Sequence, residues 1–188
     1  MKDPDEDLVR RIGAGDKRAA AELVRRHLPK MVGLGRRMLG DAAEAEDVAQ
    51  EVFLRVWKHS AQWEPGRAKF ETWMHRVAVN LCLDRLRRSG RNAGEVSDET
   101  PDNKASATRE LEEKQRLEKV RRAMANLPER QRAAITLCYF QELSNIEAAE
   151  ILDVSVDALE SLLARGRRGL KAILADERAE LLSGIESN

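Results

Sequence analysis

Two groups of cations offer the clearest chemistry in this chain: Arg85, Arg87, Arg88 and Arg91, and then Arg165, Arg167, Arg168 and Lys171. Guanidinium and ammonium groups crowded in this way suit phosphate oxygens. They also complement the negative end of a helix dipole, so each cluster by itself admits both readings. The chain is neutral overall, with 33 Lys and Arg against 33 Asp and Glu, yet residues 1–88 hold 18 cations against 14 anions. Catalytic chemistry has less to work with. There is no phosphate-binding glycine loop, no nucleotide-binding glycine fingerprint and no His, Cys and Asp set at metal-ligand spacing. His27, His59 and His75 are scattered, and Cys82 and Cys138 sit far apart among apolar residues, as buried free thiols would. No catalytic residue, metal or cofactor is therefore expected.

Residues 144–170 carry the strongest local pattern. Ser144-Asn145-Ile146-Glu147 has the form of a capping box, which starts a helix. Ala148 and Ala149 are small enough for a second helix to cross closely, and Ile151, Leu152, Val154, Val156 and Leu159 would supply the shared core. Asp153 falls at the turn, where a left-handed backbone is tolerable for Asp, and Ser155 is placed to cap the next helix. This is the arrangement of a helix-turn-helix, whose second helix enters the DNA major groove. Helical hairpins without DNA partners share the same pattern. Asp157, Glu160, Ser161 and Arg165 lie on the presumed reading helix, within reach of base edges or phosphates.

The elements that must position these groups are helices. The segments on either side of residues 89–109 are rich in Ala, Leu, Arg and Glu and lack strand-like alternation, so the fold class is all-α. Residues 89–109 read SGRNAGEVSDETPDNKASATR, with almost no large apolar side chain, which predicts a flexible linker. About 21 residues can extend to ~70 Å, enough to set two small helical domains on separate sites. The expected division is 1–88, linker 89–110, 111–175 and a tail over 176–188.

In the first domain, a helical stretch from Leu8 to Arg26 is interrupted at Gly13-Ala14-Gly15, with Asp16 as a cap, and a further helix runs to Leu39 before Gly40. Ala42–His59 turns Val48, Val52, Phe53, Val56 and Trp57 inward and Asp47, Glu51, Arg55 and Lys58 outward. A polar loop carrying Trp63 and Pro65-Gly66 follows, then a helix from Phe70 to Arg88 with Phe70, Trp73 or Met74, Val77 and Leu81 inward. Arg76, Asn80, Asp84 and Arg87 form its second stripe. The second domain opens with a charged helix, Glu110–Asn126, whose apolar positions are Leu117, Val120 and Met124. Leu127-Pro128 starts another helix, with Ala134, Ile135, Leu137 and Cys138 inward. No run approaches the ~18 apolar residues of a membrane span. The acidic amino terminus lacks the apolar core of a secretory signal, which points to the cytoplasm.

Both halves resemble extracytoplasmic-function sigma factors of the sigma-70 family, over nearly the whole chain. The matching text is Asp47-Val48-Ala49-Gln50-Glu51-Val52-Phe53-Leu54-Arg55-Val56-Trp57, Phe70 to Asn80, Asp84 to Arg88, Leu127 to Arg132, and Leu143-Ser144 with the helix-turn-helix. The resemblance implies that Asp47, Gln50, Glu51 and Arg55 dock on the clamp coiled coil of core RNA polymerase. It implies that Trp63, Phe70, Trp73, Arg76, Asn80 and Arg87 serve melting and capture of the minus-ten element. Both tryptophans also fit plain core packing. Ser155, Asp157, Glu160, Ser161, Arg165 and Arg168 would face the minus-thirty-five duplex of promoter DNA. Here the sequence departs from the family, which often has basic residues at the positions of Glu160 and Leu162 and usually glycine at that of Asp153. A carboxylate at Glu160 would repel phosphate and accept from a cytosine amino group instead. The resemblance further implies control by an anti-sigma factor. An enzyme, the reading from another class, finds no motif here, and a second rival, a stand-alone regulator that binds operators through its helix-turn-helix, leaves the motifs of the first domain without a role.

Overall fold

The computed structural model describes residues 3–64, 69–92 and 108–186, whose regular elements are all helical. The first unit is built from α1 (Glu6–Gly13), α2 (Lys17–Leu39), α3 (Ala42–His59) and α4 (Phe70–Asn92), with a 3₁₀ turn at Ser60–Gln62. Asp16 caps α2 by accepting from the amides of Arg18 and Ala19, and Asp41 caps α3 by accepting from Glu44. Gly40 ends α2 with φ of 78°, a left-handed stop that glycine adopts without a Cβ penalty.

Sequence reading places a break within residues 17–39, yet α2 is one helix with Pro29 inside it. An interior proline costs about 3 kcal/mol. The inward stripe Leu23, Met31, Leu34 and Met38 stays in phase across it, and each fully buried side chain contributes about 1.5–3 kcal/mol. Burial wins. The helix also crosses α3 very closely, since a Cβ on Gly35 would come within 2.9 Å of Ala45.

The acidic amino-terminal segment does structural work that its sequence does not advertise. Asp3 accepts a hydrogen bond from the Phe70 amide and so caps α4 from far away in the chain. Asp5 is 1% exposed, and its carboxylate accepts from Arg26 Nη1 at 2.6 Å and His27 Nε2 at 2.8 Å. Burial alone would raise its pKa, but the hydrogen bonds and charges of His27 and Arg26 together hold it below the usual carboxylate value.

The second unit comprises α5 (Thr108–Ala125), α6 (Glu129–Ile135), α7 (Asn145–Leu152) and α8 (Val156–Glu186). After Ile135 the helix widens into a π-type turn over Thr136–Phe140, closed by the Gln141 amide donating to the Thr136 carbonyl. Glycines let α8 pack tightly on this unit, because Cβ atoms on Gly166 and Gly169 would meet the side chains of Ile135 at 3.0 Å and Leu127 at 2.8 Å.

Several expectations need correction. Trp57 is 42% exposed and Val156 37%, so these two are not core residues. Cys82 is buried and its thiol is pushed up to about 12 by burial, whereas Cys138 is only half-buried. Helix α4 runs on to Asn92, α5 already begins at Thr108, and α8 continues through the segment read as a tail. The rest of the expected linker, residues 93–107, and the Pro65-Gly66 turn lie outside the described residues.

The two units touch. Arg132 reaches across and donates to the Met38 carbonyl, as well as to Leu127 and Ala125 in its own unit, while Arg121 donates to the Gly40 carbonyl at 2.7 Å. Two guanidiniums of the second unit thus cover the negative end of α2. Arg37 stacks over the Phe140 ring at 4.3 Å, and the Gln141 amide lies 3.3 Å from both His75 Nε2 and the Lys30 carbonyl oxygen.

Candidate functional site

Three surfaces collect the residues whose chemistry the sequence singles out. The first lies along α3. Asp47, Gln50 and Arg55 are exposed and Glu51 is half-buried, with Glu51 and Arg55 paired at 2.7 Å one turn apart. That pair is an ordinary solvated contact worth a few tenths of a kcal/mol. Beside it runs a groove of about 520 Å³ between α2 and α3, lined by Val24, Leu28, Val32, Phe53, Leu54 and Trp57, with Glu46 and Gln50 at its polar edge. Leu54 is 67% exposed there, and Trp57 meets Phe53 edge-on at 5.7 Å. Sequence reasoning missed this apolar half. Leu54 is out of phase with the inward stripe at Val48, Val52 and Val56, and that misplacement was the available signal.

The second surface is an aromatic pocket where α3 gives way to α4. Trp63 packs edge-on to Phe70 at 5.1 Å, and Phe70 stacks on Trp73 at 5.4 Å. His59, Gln62 and Glu64 complete a pocket of about 380 Å³. Phe70 is fully buried, while Trp63 and Trp73 are half-buried, so the tryptophans are both core and wall. The indole N–H of Trp63 is buried and has no hydrogen-bond partner among the described residues. Away from the pocket, Arg76, Asn80 and Arg87 stand exposed along α4, with Arg87 3.5 Å from Asp84. An apolar aromatic wall can hold a stacked base, and the two arginines farther along α4 suit phosphates.

The third surface is the helix-turn-helix of α7 and α8. The capping box at Ser144 is present in both directions, and Asp153 takes the left-handed conformation at the turn with φ of 54° and ψ of 55°. Ser155 accepts from the Ala158 amide and starts α8. Leu159, Leu163 and Gly166 face inward, leaving Asp157, Glu160, Ser161, Arg165 and Arg168 exposed on the opposite side. Their order makes the start of the helix acidic and its middle basic. Glu160 accepts from Asn145 Nδ2 at 3.4 Å, a contact across the two helices. Arg165 folds back on the Ser161 carbonyl at 3.2 Å.

Glu147 also reaches the first unit, where Lys69 donates to it at 2.7 Å. Lys69 foremost, and then the Ser144 hydroxyl, hold the Glu147 carboxyl down to about 2. Its folded value lies below its unfolded one, so its contribution is complete above about pH 4.5 and fades as pH falls toward 2. Lys69 is half-exposed, so screening trims the size but not the sign. Thermal unfolding followed between pH 6 and pH 3 should show wild type losing more stability than Glu147→Gln. Parallel curves would show that the contact does not matter in solution.

Comparison with known proteins agrees with this geometry. Residues 23–92 match Sigma-70 region 2, and residues 117–170 match Sigma-70, region 4. The chain is 33% identical to the ECF RNA polymerase sigma factor SigW of Bacillus subtilis over 184 residues, 89% of this chain and 95% of SigW. It is 31% identical to the RNA polymerase sigma-H factor of Pseudomonas aeruginosa, over 92% of this chain and 95% of that one. Among solved structures it resembles CnrH in complex with the cytosolic domain of CnrY, with a TM-score of 0.69 and 28% identity over 92% of this chain and 97% of CnrH. It shares its fold with the sigma factor RpoE of Bartonella quintana, in complex with the anti-sigma factor NepR, at a TM-score of 0.65 and 22% identity, over 82% of this chain and 96% of RpoE.

Proposed function

Since the chain belongs to the extracytoplasmic-function sigma factors of the sigma-70 family, a family of non-enzymatic initiation factors that act inside the cell, we propose how its own residues divide the work. The first unit docks on the clamp of core RNA polymerase through α3. Asp47, Gln50, Glu51 and Arg55 give the polar half of that contact, and the groove around Leu54 and Trp57 gives the apolar half. Interfaces take most of their energy from a few such apolar anchors, while rim charges contribute less.

The aromatic pocket receives an unstacked base of the minus-ten element. Extracting a base costs a few kcal/mol, and stacking on Trp63 or Trp73 returns about 1–3 kcal/mol per base. Arg76, Asn80 and Arg87 track the strand. The second unit sets α8 in the major groove of the minus-thirty-five duplex, with Asp157, Glu160 and Ser161 toward the bases and Arg165 and Arg168 toward phosphates.

The observation that carries this reading is the pairing, in one chain, of an aromatic pocket at the start of a helix that carries exposed arginines with a capped helix-turn-helix. We further propose that the protein works in the cytoplasm and is held inactive by an anti-sigma factor. The likeness to CnrH, solved with the cytosolic domain of another protein bound, supports that control. Run-off transcription with purified core polymerase tests the whole reading. Specific initiation should appear only when this protein is added, and its absence from a preparation free of any inhibitor would refute the assignment.

A further inference from the structure

The aromatic pocket has two walls, and residues 3–13 hold both of them from outside. One wall is the first turn of α4, which carries Phe70 and Trp73; the other is the 3₁₀ turn Ser60–Gln62 with Trp63 directly after it. Asp3 fixes the first wall. Its Oδ2 accepts from the Phe70 amide at 2.5 Å, while its Oδ1 accepts from the Asp5 amide at 2.9 Å, so one carboxylate bridges the two segments. The end of α1 fixes the second wall. A Cβ on Gly13 would lie 3.0 Å from Ala61 Cα, 3.1 Å from Ala61 N and 3.2 Å from the Ser60 carbonyl carbon. Helix and turn meet backbone to backbone there, with no flexible side chain between them to absorb a change.

The segment that makes these two contacts is itself anchored. Asp5 is buried on Arg26 and His27 of α2, and Leu8, Val9 and Ile12 of α1 are buried in the core. A close-packed interior transmits displacement instead of damping it. Residues 3–13 nevertheless contribute none of the side chains that line the pocket, which come from His59, Gln62, Trp63, Glu64, Phe70 and Trp73.

We propose that residues 3–13 act as a brace that sets the gap between Trp63 and the Phe70–Trp73 wall, which makes Asp3 and Gly13 positioning residues for base capture. The proposal rests on the reading above for the pocket and adds a control on its width. Two physical facts give the brace its leverage. The first amides of a helix have no partner within it, so losing the Asp3 carboxylate frees the turn that carries both α4 aromatics. Stacking is also short-ranged: a gap of about 0.5–1 Å forfeits a quarter to a half of the dispersion attraction. A few tenths of an ångström at Ala61 therefore reach the base through Trp63, two residues on.

The test uses the full chain assembled with core polymerase, and compares open-complex formation on a duplex promoter with that on the same promoter already unpaired across the minus-ten region. Asp3→Ala should slow the duplex reaction by about three- to tenfold, the size of one lost helix cap, and the pre-melted reaction by less than about twofold. Asp3→Asn keeps an acceptor oxygen for the Phe70 amide and should recover most of the rate. Gly13→Ala is the sharper variant, because alanine favours the helix while the close approach to Ala61 opposes it. It should slow the duplex reaction by about as much as Asp3→Ala, with affinity for core polymerase within about twofold of wild type. Asp7→Ala removes the same charge from the same segment without touching either wall, and should match wild type.

Equal losses on both templates, wild-type rates in Asp3→Ala and Gly13→Ala, or a loss in Asp7→Ala as large as in Asp3→Ala would overturn the proposal. If Asp3→Ala does not fold, Gly13→Ala decides alone. Trp63→Ala separates the two levels. A duplex-specific defect in Trp63→Ala beside wild-type behaviour in the brace variants sinks the brace only, whereas equal defects of Trp63→Ala on both templates sink the pocket reading and the brace with it.

Discussion

Leu54→Asp should weaken association with core polymerase by at least about 30-fold while leaving the melting temperature of the free protein nearly unchanged. The side chain is 67% exposed beside the groove of α2 and α3, so no cavity forms when it is replaced. An anchor of an interface contributes about 2 kcal/mol or more, which is a factor of about 30 in affinity. The aspartate also brings a charge into a contact that excludes water, and an unpaired buried charge adds about 3–5 kcal/mol to the loss. Binding of labelled protein to immobilised core enzyme reads this directly. If Asp47→Lys and Arg55→Glu abolish binding and Leu54→Asp does not, the polar stripe alone makes the contact and the groove serves something else.

Trp63→Ala should reduce open-complex formation on a duplex promoter by about 10- to 100-fold, the loss of roughly one base stack. The same variant should recover most of its activity on a promoter already mismatched across the minus-ten region, because the unstacking cost has been removed in advance. Trp63 also packs edge-on to Phe70, so truncation loosens the pocket wall. Trp63→Phe separates the two effects by keeping a ring while removing the indole N–H. A defect of equal size on duplex and pre-melted templates would mean that Trp63 supports the fold and does not hold a base.

The helical architecture was legible because its signals are local. The capping box at Ser144, the left-handed Asp153 and the caps at Asp16 and Ser155 each act within four residues, and all are present. The outward stripes at Asp47 and Arg55 and at Arg76 and Asn80 followed from helical phase, which packing respected. What escaped is contact at long range. Nothing near Asp3 or Asp5 signals that their carboxylates hold α4, Arg26 and His27, because the partners lie 21 to 67 residues away. The groove around Leu54 was hidden for another reason: Trp57 continues the inward series by spacing, yet it sits at the edge of the stripe, where burial depends on which neighbour covers it. The expected division of residues 17–39 into two helices erred in the opposite direction, since tertiary burial carries α2 straight through Pro29.

The widened turn at Thr136–Phe140 makes chain length, and not only residue identity, a quantity under selection. It accommodates one residue more than a regular helical turn. Deleting a single residue there would yield a tidier helix, yet it would swing everything downstream by about 100° around the axis, the angle per helical residue. Gln141 would leave the first unit, and the reading helix would face elsewhere. Homologous chains should therefore show very few insertions or deletions across this stretch.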